Sequence, residues 1–169
     1  MFVWIDRKTD DPGRPGQVRA ALDPVLGKPE WRWTAPALIA AASPGPFPTD
    51  VFEHDGDIVI YWGELYNAKE LASSGSPPPG ETLCGPAAIV WHLYRRNGAA
   101  MLETLNGQFA LVAWLGRPRR LFAAADRFGT MPLRCYLDES QFVVATRSDH
   151  IRRCPGVQAA IDPQAVYDY

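Results

Sequence analysis

Three features that mark common classes of protein are scarce in this sequence. No stretch approaches the ~20 consecutive apolar residues of a membrane-spanning helix, and the first residues turn polar and acidic too soon for a signal peptide. The net charge of −2 gives no overall attraction to nucleic acid or to anionic lipid. We therefore predict a protein whose partner is neither a membrane nor a nucleic acid.

Cysteine is also rare, with three residues in the whole chain. Cys84, Cys135 and Cys154 are an odd number and lack the spacing of metal ligands. Such a pattern predicts reduced thiols in a cytoplasmic protein and no metal site. Cys84 precedes a predicted helix, a position that lowers the pKa of a thiol. A catalytic role is nevertheless disfavoured because no paired histidine is identifiable.

A glycine-rich phosphate loop and an internal repeat are absent as well, so no cofactor is predicted within this chain. Apolar sequence, by contrast, is plentiful, with 47% of residues apolar and 11% aromatic. A chain of 169 residues with this composition is long enough to form one domain around a buried core.

Short apolar runs separated by polar turns predict three hairpins. Each run has the length of a strand and is too short for an ordinary helix. The Asp55-Gly56 pair tolerates positive φ and suits the tight turn of the first hairpin. The predicted strand pairs are Val51–Glu53 with Ile58–Trp62, Gln108–Leu115 with Arg120–Ala125, and Arg134–Leu137 with Gln141–Thr146.

The remaining segments predict further strands, helices and loops. Asn67 and Asp162 are predicted helix caps, Gly98 is a predicted helix stop, and Pro24 is expected to limit its helix to the first turns. Strands are predicted at Phe2–Ile5 and once within Trp31–Ala42, near Ala37–Ala41; helices at Gln17–Leu26, Ala68–Ala72, Pro86–Asn97, Ala99–Leu105 and from Pro163; and loops at Asp10–Gly16, Ser43–Asp50 and Ser73–Gly80. The pattern predicts an α+β domain in which two sheets face each other under helices.

Several clusters of polar residues have the composition of a site but are better explained as structure. The acidic segment Glu53–Asp57 is favoured as a solvated turn over a metal site, and His92 and His150 lie on or near helices. Phosphate or nucleic-acid binding by the arginine clusters is disfavoured because no aromatic residues are interleaved with them. These clusters are Arg117, Arg119 and Arg120, and Arg152 and Arg153.

Motifs in a fixed order carry a resemblance to a known family. They are Gly63-Glu64-Leu65-Tyr66-Asn67, Asn106–Ala110, Asp126–Leu133 and Ala145-Thr146-Arg147. The ordered set, from about Val51 to Ile151, resembles the class II glutamine amidotransferase domain at the N-terminus of asparagine synthetases. The resemblance implies the four-layer αββα sandwich of the N-terminal-nucleophile hydrolases over residues 1–160, followed at 161–169 by the start of a helix leading to a C-terminal synthetase domain.

The resemblance also implies a chemistry that this sequence does not support. In the family, a cysteine at the mature N-terminus attacks the glutamine amide, and its own α-amino group is the general base. Here Phe2 follows Met1, and no Ser, Thr or Cys occurs before Thr9. We therefore predict no catalytic residue in this chain.

The residues that bind glutamine in the family are only partly present in this sequence. The family's oxyanion-hole pair Asn-Gly corresponds to Trp62-Gly63, which keeps only the backbone donor. Glu64 matches the glutamate that binds the substrate ammonium, but its aspartate partner falls at Gly85. The family's carboxylate-binding arginine would lie between residues 33 and 43, where the sequence has no cation. Gly63 and Glu64 are thus the predicted remnants of the binding site.

Asp126 and Arg127 form a charged pair of the kind found in catalytic sites. In the family it forms a buried ion pair and a turn near the next domain, so Asp126 and Arg127 are predicted to be structural.

Three functional hypotheses follow. The favoured one is an inactive glutaminase-like domain of an ATP-dependent amide-forming enzyme, packed against a synthetase domain or a separate synthetase subunit. ATP and Mg²⁺ would then bind only in the synthetase domain. The alternatives are an active glutaminase with a different mature N-terminus and a stand-alone binding module. A homodimer is a further possibility for the assembly.

Overall fold

Two antiparallel sheets form the centre of the computed structural model. The structure describes residues 1–7, 13–26, 29–34, 38–42, 47–74, 83–158, 160 and 163–167. The strands are β1 (Phe2–Asp6), β2 (Glu30–Thr34), β3 (Leu38–Ala42), β4 (Thr49–His54), β5 (Asp57–Leu65), β6 (Gly107–Leu115), β7 (Arg120–Ala125), β8 (Arg134–Leu137) and β9 (Gln141–Ala145). One sheet has the order β2-β3-β1-β9-β8 and the other β4-β5-β6-β7.

Helices cover the outer face of each sheet. They are α1 (Arg14–Leu26), α2 (Ala68–Ser74), α3 (Pro86–Asn97), a 3₁₀ helix (Gly98–Glu103) and α4 (Ser148–Arg152). A further helix, α5 (Pro163–Tyr167), follows them along the chain. No helix among these described segments is long and apolar enough to cross a bilayer.

The alternation of side chains along β1 explains the layers. Successive residues of a strand point to opposite faces of a sheet. Met1, Val3 and Ile5 accordingly pack between the two sheets, against residues of β5 and β6. Phe2 and Trp4 point outward and pack against α1 and the segment around α4. The layers are thus helix, sheet, sheet and helix, as the family resemblance implies.

The second sheet is covered by α2 and α3 in the same way. Alternate residues of β5 and β6, including Val59, Tyr61 and Leu111, form one cluster with the buried side of α3. The buried α3 residues include Ile89, Val90 and Leu93, at the helical spacing read from the sequence. Burying these side chains stabilises the domain by roughly 1.5–3 kcal/mol each.

All three predicted hairpins are confirmed, and one turn has the geometry that its residues favour. β4 and β5 are joined by Asp55 and Gly56, which have φ angles of 48° and 83°. Two consecutive positive φ values are those of the tight turn that fits the twist of a hairpin. The strands β6 and β7, and β8 and β9, pair in antiparallel register.

The prediction that Pro24 limits its helix was wrong. Helix α1 contains Pro24 and begins at Arg14, inside the predicted loop Asp10–Gly16. Proline removes one N–H donor from the ladder, but burial of Val18, Leu22 and Leu26 holds the helix on β1. The spacing of these three residues is i, i+4 and i+8, so tertiary packing overrides the break.

The strand predicted near Ala37–Ala41 is confirmed as β3, but the sequence analysis missed a second strand, β2, in the same region. The alternating sequence Glu-Trp-Arg-Trp-Thr of β2 carried the strand signal that was missed. Smaller differences occur at element ends: β4 begins at Thr49, α2 ends at Ser74, and the predicted helix Ala99–Leu105 is the 3₁₀ helix. Asp162 and the rest of the predicted Ser73–Gly80 loop beyond residue 74 lie outside the described residues.

Candidate functional site

The predicted remnants Gly63 and Glu64 lie near the end of β5, at the mouth of a cavity of about 350 Å³. The cavity is lined by Pro48, Asp50, Gly63, Glu64, Leu65, Tyr66 and Pro86. β4 supplies one side, the end of β5 a second, and the first residue of α3 the third. The structure therefore brings together Gly63 and Glu64 with a residue, Asp50, that the sequence did not single out.

Gly63 occupies a position that only glycine can fill. Its φ is 122°, and a Cβ there would lie 2.0 Å from the Gln108 carbonyl oxygen of the neighbouring strand. Its N–H donates a hydrogen bond of 2.9 Å to the carbonyl oxygen of Pro48. The Gly63 N–H, the one oxyanion-hole donor that the sequence analysis retained, is thus already hydrogen-bonded within the protein.

Trp62, which stands where the family has asparagine, reinforces the same contact. Its ring meets that of Phe47 edge to face, with centroids 5.9 Å apart, a favourable arrangement for two aromatic rings. Both side chains pack against the core between the sheets. An apolar contact therefore holds the Phe47–Asp50 segment against the end of β5, next to the Gly63–Pro48 hydrogen bond.

Asp50 occupies the space beside Gly85, where the family has its second acidic residue. A Cβ at Gly85 would lie 2.3 Å from Asp50 Oδ2, and that same oxygen accepts a 2.9 Å hydrogen bond from the Ala87 N–H. Ala87 lies in the first turn of α3, whose N–H groups have no partner within the helix. The carboxylate thus reaches this helix end from β4 instead of from position 85.

Asp50 was not predicted from the sequence, although one local feature indicates that the group that caps α3 comes from another part of the chain. Gly85 has no side chain, and no side-chain cap at that position is present. A helix that starts with proline and lacks a capping side chain needs another acceptor for its first free N–H groups.

Asp126 is a structural carboxylate. It is buried, and it accepts hydrogen bonds from the backbone N–H groups of Phe109, Phe128, Thr130 and Met131 and from the Thr130 hydroxyl. Burial by itself raises the pKa of Asp126, but the bonds from Thr130, Met131 and Phe128 outweigh it and lower the pKa to about 2. The expected buried ion pair with Arg127 is wrong, because Arg127 is exposed and the carboxylate is held by these donors instead.

The acidic segment Glu53–Asp57 is a hairpin turn with one structural aspartate. Asp57 is buried and accepts hydrogen bonds from the Trp91 indole and from the Gly116 N–H, both at 2.9 Å. His54 packs on the Trp91 ring with a centroid distance of 4.7 Å. No group of three or more potential metal ligands occurs among the described residues.

None of the other candidate side chains lines the cavity. Cys84 and Cys135 are exposed, whereas burial raises the pKa of the Cys154 thiol to about 12. His150 is buried in α4, and burial lowers the pKa of its imidazole. His92 is half-buried in α3. The arginines of both clusters, Arg117, Arg119, Arg120, Arg152 and Arg153, are exposed.

Comparison with known proteins agrees with the fold and with the motifs. The sequence model of a family described as a glutamine amidotransferase domain matches residues 37–169. The chain belongs to this family. It is a class II glutamine amidotransferase domain of the asparagine synthetase type.

Curated relatives of this amidotransferase domain include two glutamine-hydrolysing asparagine synthetases of Bacillus subtilis. Number 2 is 36% identical over 80 residues, which are 47% of this chain and 11% of the relative. Number 3 is 30% identical over 115 residues, which are 66% of this chain and 18% of the relative. The amidase chry2 of Gibberella zeae is 29% identical over 94 residues, 56% of this chain and 14% of the relative. The chain thus spans less than a fifth of the length of these relatives.

Proposed function

We propose that this amidotransferase domain does not hydrolyse glutamine and that it serves as a structural or interface domain of an ATP-dependent amide-forming enzyme. The observation that carries the proposal is the hydrogen bond from the Gly63 N–H to the Pro48 carbonyl oxygen, at 2.9 Å. A donor already bonded to the protein cannot stabilise an oxyanion unless that bond breaks. Loss of one such donor costs about 10²–10³ in rate.

The rest of the cavity supports the same proposal. Trp62 has no side-chain amide to act as the second oxyanion donor, and Met1 and Phe2, where β1 begins, carry neither a thiol nor a hydroxyl. The described residues that line the cavity include two carboxylates, Asp50 and Glu64, and no cation that could pair with the α-carboxylate of glutamine. Each missing charge-assisted contact weakens binding by roughly 1.5–3 kcal/mol.

In this proposal the partner is a synthetase domain, on the same polypeptide or on a separate subunit. The named relatives from Bacillus subtilis are asparagine synthetases much longer than the matched segment. Such a synthetase would bind ATP and Mg²⁺ and would take its amine from the substrate or from solution instead of from glutamine.

Amide hydrogen exchange tests the observation directly. We expect the Gly63 amide to exchange as slowly as those inside the β5–β6 ladder, and to keep its NMR shift when glutamine is added. Gly56, exposed in the hairpin turn, is the reference for rapid exchange. A Gly63 amide that exchanges as fast as Gly56 and shifts in a saturable way with glutamine would refute the proposal.

An activity assay on the same sample separates the alternatives. We expect no ammonia release from glutamine, and no glutamyl thioester by mass spectrometry. Turnover together with a terminal Cys, Ser or Thr on the native protein would establish the active-glutaminase alternative. Saturable binding of glutamine without turnover would favour the binding module.

A further inference from the structure

A second cavity, of about 450 Å³, opens between the two sheets at the end opposite to Gly63. It is lined by Ile5, Asp6, Arg7, Trp114, Arg119, Leu121, Leu137 and Phe142. Trp114 pairs with Ile58 across the strands β6 and β5. Ile58 and Gly63 lie five residues apart on β5, or about 16 Å at ~3.3 Å per residue. This cavity is therefore distinct from the eroded glutamine site.

Strand register explains why the walls of this cavity are apolar. Ile5 lies opposite Phe142, and Phe142 lies opposite Leu137, so these three form one row across β1, β9 and β8. Trp114 and Leu121 are paired in the same way across β6 and β7. Residues directly opposite in a ladder share a face of the sheet, and the two rows therefore present an apolar surface from each sheet. Leu137 is 61% exposed at the rim.

The mouth of the cavity is positively charged. Asp6 is engaged by Arg14, at 3.4 Å between Oδ1 and Nη1. Arg7 donates a hydrogen bond to the backbone carbonyl of Asp138. This contact does not pair the positive charge of Arg7 with a carboxylate. Arg119 makes no ion pair or hydrogen bond with the residues that the structure describes. Two guanidinium groups thus stand beside an apolar slot.

We infer that this slot binds a small carboxylic acid with an aliphatic body. An apolar cavity of a few hundred Å³ with a small number of placed polar groups is typical of small-molecule sites. The aliphatic chain lies between the Ile5–Phe142–Leu137 row and the Trp114–Leu121 pair. Arg119, for which the described part of the chain supplies no ion-pair partner, binds the carboxylate, and a guanidinium accommodates a carboxylate with two parallel hydrogen bonds. Charge complementarity selects an anion over a neutral or cationic amphiphile of the same length.

Calorimetric titration with decanoate tests this inference, with decyltrimethylammonium and decanol as probes of the same chain length. We expect saturable one-to-one binding of decanoate and at least tenfold weaker binding of the other two. Arg119→Gln should weaken decanoate binding about tenfold, the effect of losing one charge-assisted contact. Arg120→Gln is the matched control, because Arg120 is the next residue along the chain, is also exposed and does not line the slot.

A second variant distinguishes the site from a general effect of surface charge. Leu137→Glu changes an exposed rim residue, so the fold should be retained. It should abolish decanoate binding and leave the binding of decyltrimethylammonium unchanged or stronger. The inference is overturned if decanoate does not bind, if Arg119→Gln binds it as the native protein does, or if the cationic probe binds as tightly. Sedimentation at the titration concentrations tests whether the slot is instead an interface between two copies of the chain. A dimer that decanoate does not dissociate and that Leu137→Glu disrupts would assign the slot to a second copy, and this result would also overturn the inference.

Discussion

The contact between Asp50 and Gly85 can be measured as a coupling free energy. Replacing Gly85 with alanine has two costs. The backbone angles φ 91° and ψ 162° lie in a region that is essentially restricted to glycine, so a residue with a Cβ is strained there by about 1–3 kcal/mol. The new Cβ, at 2.3 Å from Asp50 Oδ2, also displaces the carboxylate from the Ala87 N–H, which costs about 1 kcal/mol as a lost helix cap. We therefore expect Gly85→Ala to lower the free energy of unfolding by about 2–4 kcal/mol.

The double variant separates the two costs. Asp50→Ala alone should cost about 1 kcal/mol, because it removes only the cap. In the presence of that change, Gly85→Ala should cost only its backbone strain, since no carboxylate remains to be displaced. The two single costs then exceed the cost of the double variant by about 1 kcal/mol, a coupling well above the additivity error of ~0.3–0.5 kcal/mol.

Urea denaturation, followed by circular dichroism, measures all four proteins of this cycle. Gly98→Ala is the matched control, because Gly98 lies at the other end of α3 with φ of 59° and has open space where a Cβ would be. It should show the strain cost of about 1–3 kcal/mol and no coupling to Asp50→Ala. Additive costs for Gly85→Ala and Asp50→Ala would refute the assignment of Asp50 as the cap of α3.

Two further predictions concern the carboxylate and the glycine that shape the second sheet. Asp126→Asn should lower the free energy of unfolding by about 2–4 kcal/mol, because a buried, charged acceptor of several N–H groups is lost, whereas Asp149→Asn, on an exposed pair with Arg147, should cost at most ~1 kcal/mol. Because the pKa of Asp126 is about 2 in the folded state and 3.8 as its ordinary value, its stabilisation is complete above pH 3.8 and declines as the pH falls toward 2. The slope of unfolding free energy against pH in that window should therefore be smaller in Asp126→Asn; an unchanged slope contradicts this. Gly63→Ala should give insoluble or grossly destabilised protein, by ~4 kcal/mol or more, whereas Gly16→Ala, in α1 with open space around it, should stabilise by up to ~1 kcal/mol in thermal melts. Wild-type stability for Gly63→Ala would refute the close approach to Gln108.

Local sequence signals were sufficient to predict those elements whose first and last residues themselves favour a start or a stop. Helix α3 begins at Pro86 and ends at Asn97, the predicted residues, because proline suits the first helical position and Gly98 suits the stop. The hairpin at Asp55-Gly56 was predicted for a similar reason. Where tertiary packing decides, as for Pro24 within α1, the same local rules gave the wrong result.

The candidate site was only half accessible from sequence. Gly63 and Glu64 belong to a contiguous motif, and the motif located both of them. Asp50 caps a helix whose first turn lies 37 residues further along the chain, and Pro48 accepts a hydrogen bond from another strand. Neither contact has a periodicity or a spacing that can be read from the chain, because each depends on how β4 is placed against β5 and α3.

The contacts around the candidate site are physically linked through one segment, Phe47–Asp50. The Pro48 carbonyl accepts the hydrogen bond from the Gly63 N–H. Phe47 packs against Trp62. Asp50 fills the space beside Gly85. Each of these contacts thus joins a residue of the candidate site to the Phe47–Asp50 segment. In the proposed inactive domain, a nucleophile supplied at β1 would not by itself restore hydrolysis, because the Gly63 N–H is already hydrogen-bonded to the protein's own backbone and Trp62 has no side-chain amide to act as a second oxyanion donor. Under this proposal the site is best described as a repacked pocket, which gives the domain a stable surface in place of a substrate site.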